Sequence, residues 1–374
     1  MKKKNLIQVA KPYYSLTTQN SILLNMKSIL SSGNLVKGKW IKKFEKVFIK
    51  TTKKKYAVSL NSCTTALQIS LNFIDVKKKD VLVPAGSFLT DVSSVEQCGG
   101  RPILVDMNSE TFSFDLDDLQ RKITKNTKAI IWVHLTGAIS SEYKKIIQFA
   151  KKNRIFLIED AAQATGASAE GKFAGSFGDV GVFSFFPTKT ISTGGGGMLV
   201  TNNPNLARYA REMRLFGIDE KDGQIYKHGN DWQFDEIRAC VGYHQIKEIK
   251  KQTEYRDKIA KDYVKKLSNC PFIHLPLKVK NFINSWYQFP ILLDKSIDRK
   301  ILINDLKIKY GIETKGIYRP THHEKILTKF DDGSLKNTEQ TLYRSLCLPI
   351  HPRISKKDVA KITTALISSI NKQF

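Results

Sequence analysis

The chain has 374 residues, 41% of them hydrophobic and 26% charged; that is ordinary for a globular protein, long enough for one large domain plus a smaller one or for two domains, and it excludes global disorder. No apolar run approaches the roughly 20 residues of a membrane-spanning helix, and the basic start at positions 1–5 leads into no apolar stretch of the kind a secretory signal needs. The net charge of +26 comes from 49 Lys against only 12 Arg, and the lysines fall in scattered small clusters rather than one stripe. That points to a solvated surface with a weak pull on small anions, and away from nucleic-acid or membrane partners.

Two helical patterns, 20–30 and 39–51, open the chain, with Ser31-Ser32-Gly33-Asn34 breaking between them. Short apolar runs then predict strands at 56–60, 80–84, 102–106, 129–134, 155–159, 180–185 and 197–201. Helical spacing fills the gaps between the first five, at 64–73, 89–97, 116–123 and 142–152. Strands rich in Val, Ile and Leu without alternation, joined by helices, predict an α/β fold with a mainly parallel seven-stranded sheet covered on both faces. Beyond Thr201 the pattern becomes helical at 206–215 and at 234–267, the latter broken or kinked within its length. An extended stretch at 284–293 and helices at 299–309 and 356–370 complete a smaller C-terminal α+β domain. The expected division is 1–245 and 246–374.

Five cysteines without CxxC spacing read as reduced thiols of a cytoplasmic protein. The seven histidines show no metal-ligand spacing, and the neighbours His322 and His323 cannot by themselves chelate as an i, i+4 pair does; no metal is expected.

Three clusters stand at predicted strand ends, where open α/β sheets place ligands. Ser59-Leu-Asn-Ser-Cys-Thr-Thr-Ala-Leu67 runs from a strand through small polar residues into a helix start, which suits a phosphate or is ordinary N-capping by Ser62 or Thr64. Ile155-Phe-Leu-Ile-Glu-Asp-Ala-Ala-Gln163 ends a buried strand in carboxylates. Asp160 there needs a partner such as a cationic ring nitrogen, or caps a short helix. In the stretch from Gly178 to Met198, Lys189 lies between aromatic residues and the run Gly194–Gly197. A desolvated lysine there is a Schiff-base nucleophile; the alternative is a surface lysine on a loop. Together the three offer a phosphate cradle, a carboxylate and a lysine, which are the parts pyridoxal 5′-phosphate needs. No GxxxxGK[ST] loop is present.

Taken in order, several segments make the sequence familiar: Asn61-Ser-Cys-Thr-Thr-Ala-Leu67, Val83-Pro-Ala-Gly-Ser-Phe88, Glu159-Asp-Ala-Ala-Gln163, Phe183-Ser-Phe with Lys189, Gly229-Asn-Asp-Trp, and Tyr318-Arg-Pro-Thr-His322. Over nearly its whole length the chain resembles the DegT/DnrJ/EryC1/StrS family of pyridoxal-phosphate-dependent sugar aminotransferases. The resemblance implies the fold type I architecture of aspartate aminotransferase. By the same resemblance Lys189 matches the lysine that binds the cofactor covalently and carries the proton shift, and Asp160 the carboxylate on the pyridine nitrogen. Phe88 matches the aromatic stacked on the ring, and Gln163 the side chain near its phenolic oxygen. Thr64, Thr65 and Ser184 match phosphate contacts, and Tyr318 and His322 members of the sugar pocket. His134, at a strand end, reads as a structural histidine bonded within the sheet or as a neighbour of the site.

Two departures stand out. Cys63 replaces a frequent Gly of the phosphate turn. Gly229-Asn-Asp-Trp stands where many members carry Asn-Tyr-Arg, with the Asn reaching the partner subunit's phosphate in a homodimer with shared sites. Aligned on Glu236, Asp231 takes that place; since a carboxylate beside a phosphate repels it, Asn230 is the preferred contact. The implied reaction moves an amino group, from an amino acid such as glutamate, to a nucleotide-linked keto-deoxysugar of surface-polysaccharide or natural-product biosynthesis. The alternatives are another keto-carbohydrate, such as a ketocyclitol or keto-octulosonate, and a non-catalytic regulatory protein on the same fold. A dehydratase branch carries His in place of the lysine, and Lys189 argues against it.

Overall fold

The computed structural model describes residues 6–276 and 279–374; the basic start at 1–5 lies outside them. The first helix, α1 (Leu16–Ser32), begins earlier than its apolar spacing suggests because Ser15 accepts from the N–H of Thr18. Gly33 closes it in the left-handed region, at φ 65°, where a residue without Cβ is favoured. The second, α2 (Lys39–Thr52), has no side-chain cap of its own. Its free N–H groups at Trp40 and Ile41 donate to the Glu236 carboxylate, each at 2.9 Å.

Seven strands follow: β1 (Tyr56–Leu60), β2 (Asp80–Pro84), β3 (Arg101–Val105), β4 (Thr127–Val133), β5 (Phe156–Asp160), β6 (Val180–Ser184) and β7 (Gly197–Thr201). They form one sheet in the order β1-β7-β6-β5-β4-β2-β3. Only β7 runs against the rest, pairing antiparallel with both β1 and β6. The C-terminal ends of β1, β2, β4, β5 and β6 therefore share one edge. The expected mainly parallel sheet is present, with each boundary within two residues of its sequence pattern.

The strands are buried on both faces, which is why they read as continuous apolar runs. Alternate side chains supply two cores. Ile130, Trp132, Leu157, Phe183 and Met198 face the side of α2, α6 (Tyr143–Lys152) and α8 (Glu236–Lys247). Ile131, Val133, Ile158, Val182 and Leu199 face α3 (Cys63–Phe73), α4 (Leu89–Gln97) and α7 (Pro204–Arg214). Helix α5 (Leu116–Lys122) lies between β3 and β4 in the chain.

The long helical pattern 234–267 is two helices, α8 and α9 (Ile249–Leu267), meeting at Glu248. A separate core gathers α9, strands β8 (Ile273–His274), β9 (Phe289–Leu293) and β10 (Ser345–Leu348), and helices α10 (Arg299–Tyr310) and α12 (Lys356–Asn371). Within the stretch expected to be extended, only β9 joins this three-stranded sheet. Helix α11 (Lys336–Arg344) has no counterpart in the sequence pattern. No described helix is long and apolar enough to cross a membrane.

Candidate active site

At the end of β1 the chain turns through Asn61 and Ser62 into α3. Ser62 Oγ accepts from the N–H of Thr65 at 3.0 Å, and Thr65 Oγ1 donates to Asn61 Oδ1 at 2.6 Å. The capping alternative is therefore real, and it uses up Thr65, whose hydroxyl proton and N–H are both engaged within the turn. The Thr64 hydroxyl has no hydrogen-bond partner among the described residues. With the unpaired N–H groups that open any helix, it is the donor left at this corner. Gly197 packs so closely that a Cβ there would run into Ser62 and Cys63. Burial, and then the carboxylates of Asp160 and Asp91, push the Cys63 thiol up, so it stays protonated and is no nucleophile.

The end of β5 carries two adjacent carboxylates with different surroundings. Glu159 points to one face, fully buried, and accepts from Gly175 N–H at 2.8 Å, Gly178 N–H at 2.7 Å and Phe177 N–H, with His134 Nε2 at 2.8 Å. His134 is thus the structural histidine of the two readings. Asp160, 7% exposed, takes one N–H, from Ala162 at 2.7 Å. Nearby, Gln163 is clamped at both ends: its Oε1 accepts from Thr136 N–H at 2.8 Å and its Nε2 donates to the Tyr318 hydroxyl at 3.0 Å. Burial holds the Tyr318 hydroxyl protonated, with Tyr287 and Asp160 adding to the upward shift.

Beyond β6, Ser184 Oγ accepts from Phe186 N–H at 3.4 Å. Half-buried Lys189 sits in the following turn, its Nζ 4.6 Å from the ring centre of Tyr287. Tyr287 and Thr188 are 3.0 Å apart through their hydroxyls. Lys189 Nζ has no hydrogen-bond or ion-pair partner among the described residues. Phe88, before α4, is 47% exposed, its ring tilted 5.6 Å from that of Tyr318; a flat face is open at the rim.

Asp91 and Tyr287 carry no signal in the sequence patterns. Asp91 looks like an ordinary acid in the first turn of α4, yet it is 1% exposed. Burial first, and the Asp160 carboxylate second, hold it well above the usual carboxylate range. The helix start favours its charge by only about 0.3–1 kcal/mol, against several kcal/mol for burying an unpaired carboxylate.

Two further residues of the expected site stand apart: His322, and Asn230, which is expected to serve the neighbouring subunit. His322 is fully buried, with Nε2 3.2 Å from Glu339 Oε1 and its ring against His323. Asn230 lies exposed on a surface loop, its Oδ1 accepting from Asp231 N–H at 2.8 Å. Asp231 is exposed too, paired with Gln233 at 3.1 Å. His322, His323 and Asp331 bring ligand atoms within 4.8 Å of one another, but three of the four ring nitrogens already face Glu339 or Tyr343.

A helix start with an unengaged hydroxyl, a carboxylate and an amine thus converge on one edge of the sheet. Comparison with known proteins agrees with that chemistry. The family model described as the DegT/DnrJ/EryC1/StrS aminotransferase family matches residues 17–367. The chain is 32% identical over 335 residues to a GDP-perosamine synthase of Escherichia coli O157:H7, covering 88% of this chain and 90% of that one. It is 28% identical over 355 residues to the spore coat polysaccharide biosynthesis protein SpsC of Bacillus subtilis, covering 90% and 91%. Among solved structures it superposes on NtdA of Bacillus subtilis, a structure with the cofactor PMP bound, at a TM-score of 0.89 and 27% identity, covering 99% of this chain and 87% of that one.

Proposed function

The chain belongs to the DegT/DnrJ/EryC1/StrS aminotransferase family, and from that premise we propose that it uses pyridoxal 5′-phosphate to move an amino group from glutamate to a nucleotide-linked keto-deoxysugar. The observation that carries the reading is the convergence of Lys189 and Asp160 from the ends of two paired parallel strands, with Asp160 opposite Val182 in register. Pyridoxal 5′-phosphate, when bound, supplies an aldehyde that takes up amino groups and a ring that withdraws electrons.

The residues fit that group. Lys189 offers an amine without a competing ion pair, Asp160 an oxygen that no described N–H occupies, and Thr64 an unengaged hydroxyl at a helix start. In this reading Lys189 Nζ would hold the cofactor and carry the proton between the substrate carbon that bears nitrogen and the cofactor's aldehyde carbon. Asp160 keeps the ring nitrogen protonated, Phe88 covers the ring face, Gln163 borders the phenolic oxygen, and Ser184 joins Thr64 at the phosphate. Thr65 acts by shaping the turn, since its own donors are spent. Tyr318 and Phe88 frame the sugar side, and His322 supports that side from beneath. Exposed Asn230 suits a contact to the neighbouring subunit's phosphate in a homodimer with shared sites.

Relatives named for GDP-perosamine and for spore coat polysaccharide support a nucleotide-linked sugar acceptor in surface-polysaccharide assembly. Five free thiols support a reducing, cytoplasmic setting. The test is amination of a panel of nucleotide-linked keto-deoxysugars with glutamate as donor. Conversion of at least one is expected; conversion only of ketocyclitols or keto-octulosonates would replace the acceptor assignment.

A further inference from the structure

We propose that Asp91 and Asp160 form a carboxyl–carboxylate pair sharing a single proton, with Asp91 as its protonated member and the positioning residue that fixes Asp160 for the cofactor's ring nitrogen. The second half rests on the reading of Asp160 given above; the pair itself does not.

Asp91 lies in the first turn of α4 with 1% of its surface exposed. Neither of its carboxyl oxygens has a donor in good hydrogen-bonding geometry among the described residues, and the nearby Ser87 hydroxyl favours its charged form less than burial and Asp160 oppose it. Its carboxyl group is within hydrogen-bonding reach of that of Asp160. Two bare carboxylates in such a place repel, and neither is solvated; one proton between them removes the repulsion and supplies the missing donor.

The other groups facing the pair do not change this. From α3 comes the Cys63 thiol, which is neutral, and from beyond α10 the neutral Tyr318 hydroxyl. Ser87 flanks Asp91 from the turn before α4. Lys189 is the cation nearby, acting on Asp91 through space without a hydrogen bond. Asp160 already spends one oxygen on the N–H of Ala162. A proton donated from Asp91 fixes the carboxylate from a second direction while the pair keeps a single negative charge, which matches one protonated ring nitrogen.

Infrared spectra of the full chain in D2O, with and without pyridoxal 5′-phosphate, test the pair. Wild type is expected to show a protonated-carboxyl band at neutral pH that Asp91→Asn and Asp91→Ala both lack. Asp91→Asn can still donate to Asp160 through its amide, so it should retain the cofactor within about threefold of wild type. Asp91→Ala should bind about tenfold more weakly or worse, the loss of one charge-assisted hydrogen bond. A neutral-pH spectrum without the band, or a band that Asp91→Asn leaves unchanged, overturns the pair. Asp91→Asn binding as weakly as Asp91→Ala also overturns it, since that is the behaviour of a charged Asp91 serving Lys189. Should Asp91→Ala not fold, the infrared comparison with Asp91→Asn decides alone. A band present in a wild type that binds no cofactor would leave the pair standing and sink the positioning role together with the functional reading.

Discussion

Neighbouring residues at the end of β5 meet opposite fates. Glu159 is enclosed and receives three backbone N–H groups and the His134 ring, so it is a structural carboxylate. Asp160 receives one N–H and faces the edge where Lys189 and Thr64 converge. Asp160→Asn should therefore lower turnover by roughly ten- to a hundredfold, taking about 1.5–3 kcal/mol for a charge-assisted contact. Cofactor retention through the phosphate corner should change much less; near-normal turnover would rule out the ring-nitrogen role. Both Asp160 and Lys189 were legible as residues at strand ends in small-residue surroundings. Asp91 and Tyr287 were not, because only the packing of α4 and of the stretch before β9 onto the sheet buries them beside the site. The burial of His322 was illegible for the same reason: Glu339, in the following helix, faces its Nε2.

Elements follow a similar rule. The sheet was readable because strands buried on both faces are continuous apolar runs. Helix α11 was not, because its cap is remote: Asp106 accepts from Asn337 N–H at 3.1 Å and from Thr338 N–H and Oγ1, each at 2.7 Å. Capping of α2 by Glu236 is equally invisible to local spacing. The N-terminal segment is tied down in this way too. His351 Nε2 donates to the carbonyl of Gln8 at 3.1 Å, while Nδ1 accepts from Arg353 N–H at 3.3 Å. That arrangement needs a neutral ring. Burial, opposed by the Gln8 bond and reinforced by the charges of Arg256, Lys11 and Arg353, pushes His351 down to about 4 from 6.5. A depressed histidine stabilises the fold above its unfolded value and loses that contribution as pH falls toward its folded one, here from about 6.5 to about 4. The full contribution is on the order of 3 kcal/mol. His351→Asn should be less stable than wild type at pH 7, with the gap in chemical denaturation closing as pH falls to 4. A gap independent of pH would show that the ring is not held neutral.

On the scale of the whole molecule, one sheet edge collects the chemistry while the excess of lysine lies elsewhere. No large basic stripe is needed to explain +26; a diffuse positive field raises the local concentration of small anions, and salt weakens it over about 8 Å. Asn230 is exposed on its surface loop, which suits the proposed completion of a second copy's site, each chain serving the other. Of the 49 lysines, Lys189 is the one whose amine the proposed chemistry requires. The most direct test is reduction of the cofactor-loaded protein with borohydride, followed by peptide mapping. A single modified peptide carrying the cofactor on Lys189 is expected, with loss of visible absorbance on reduction. Modification of a different lysine, or no covalent attachment at all, would contradict it.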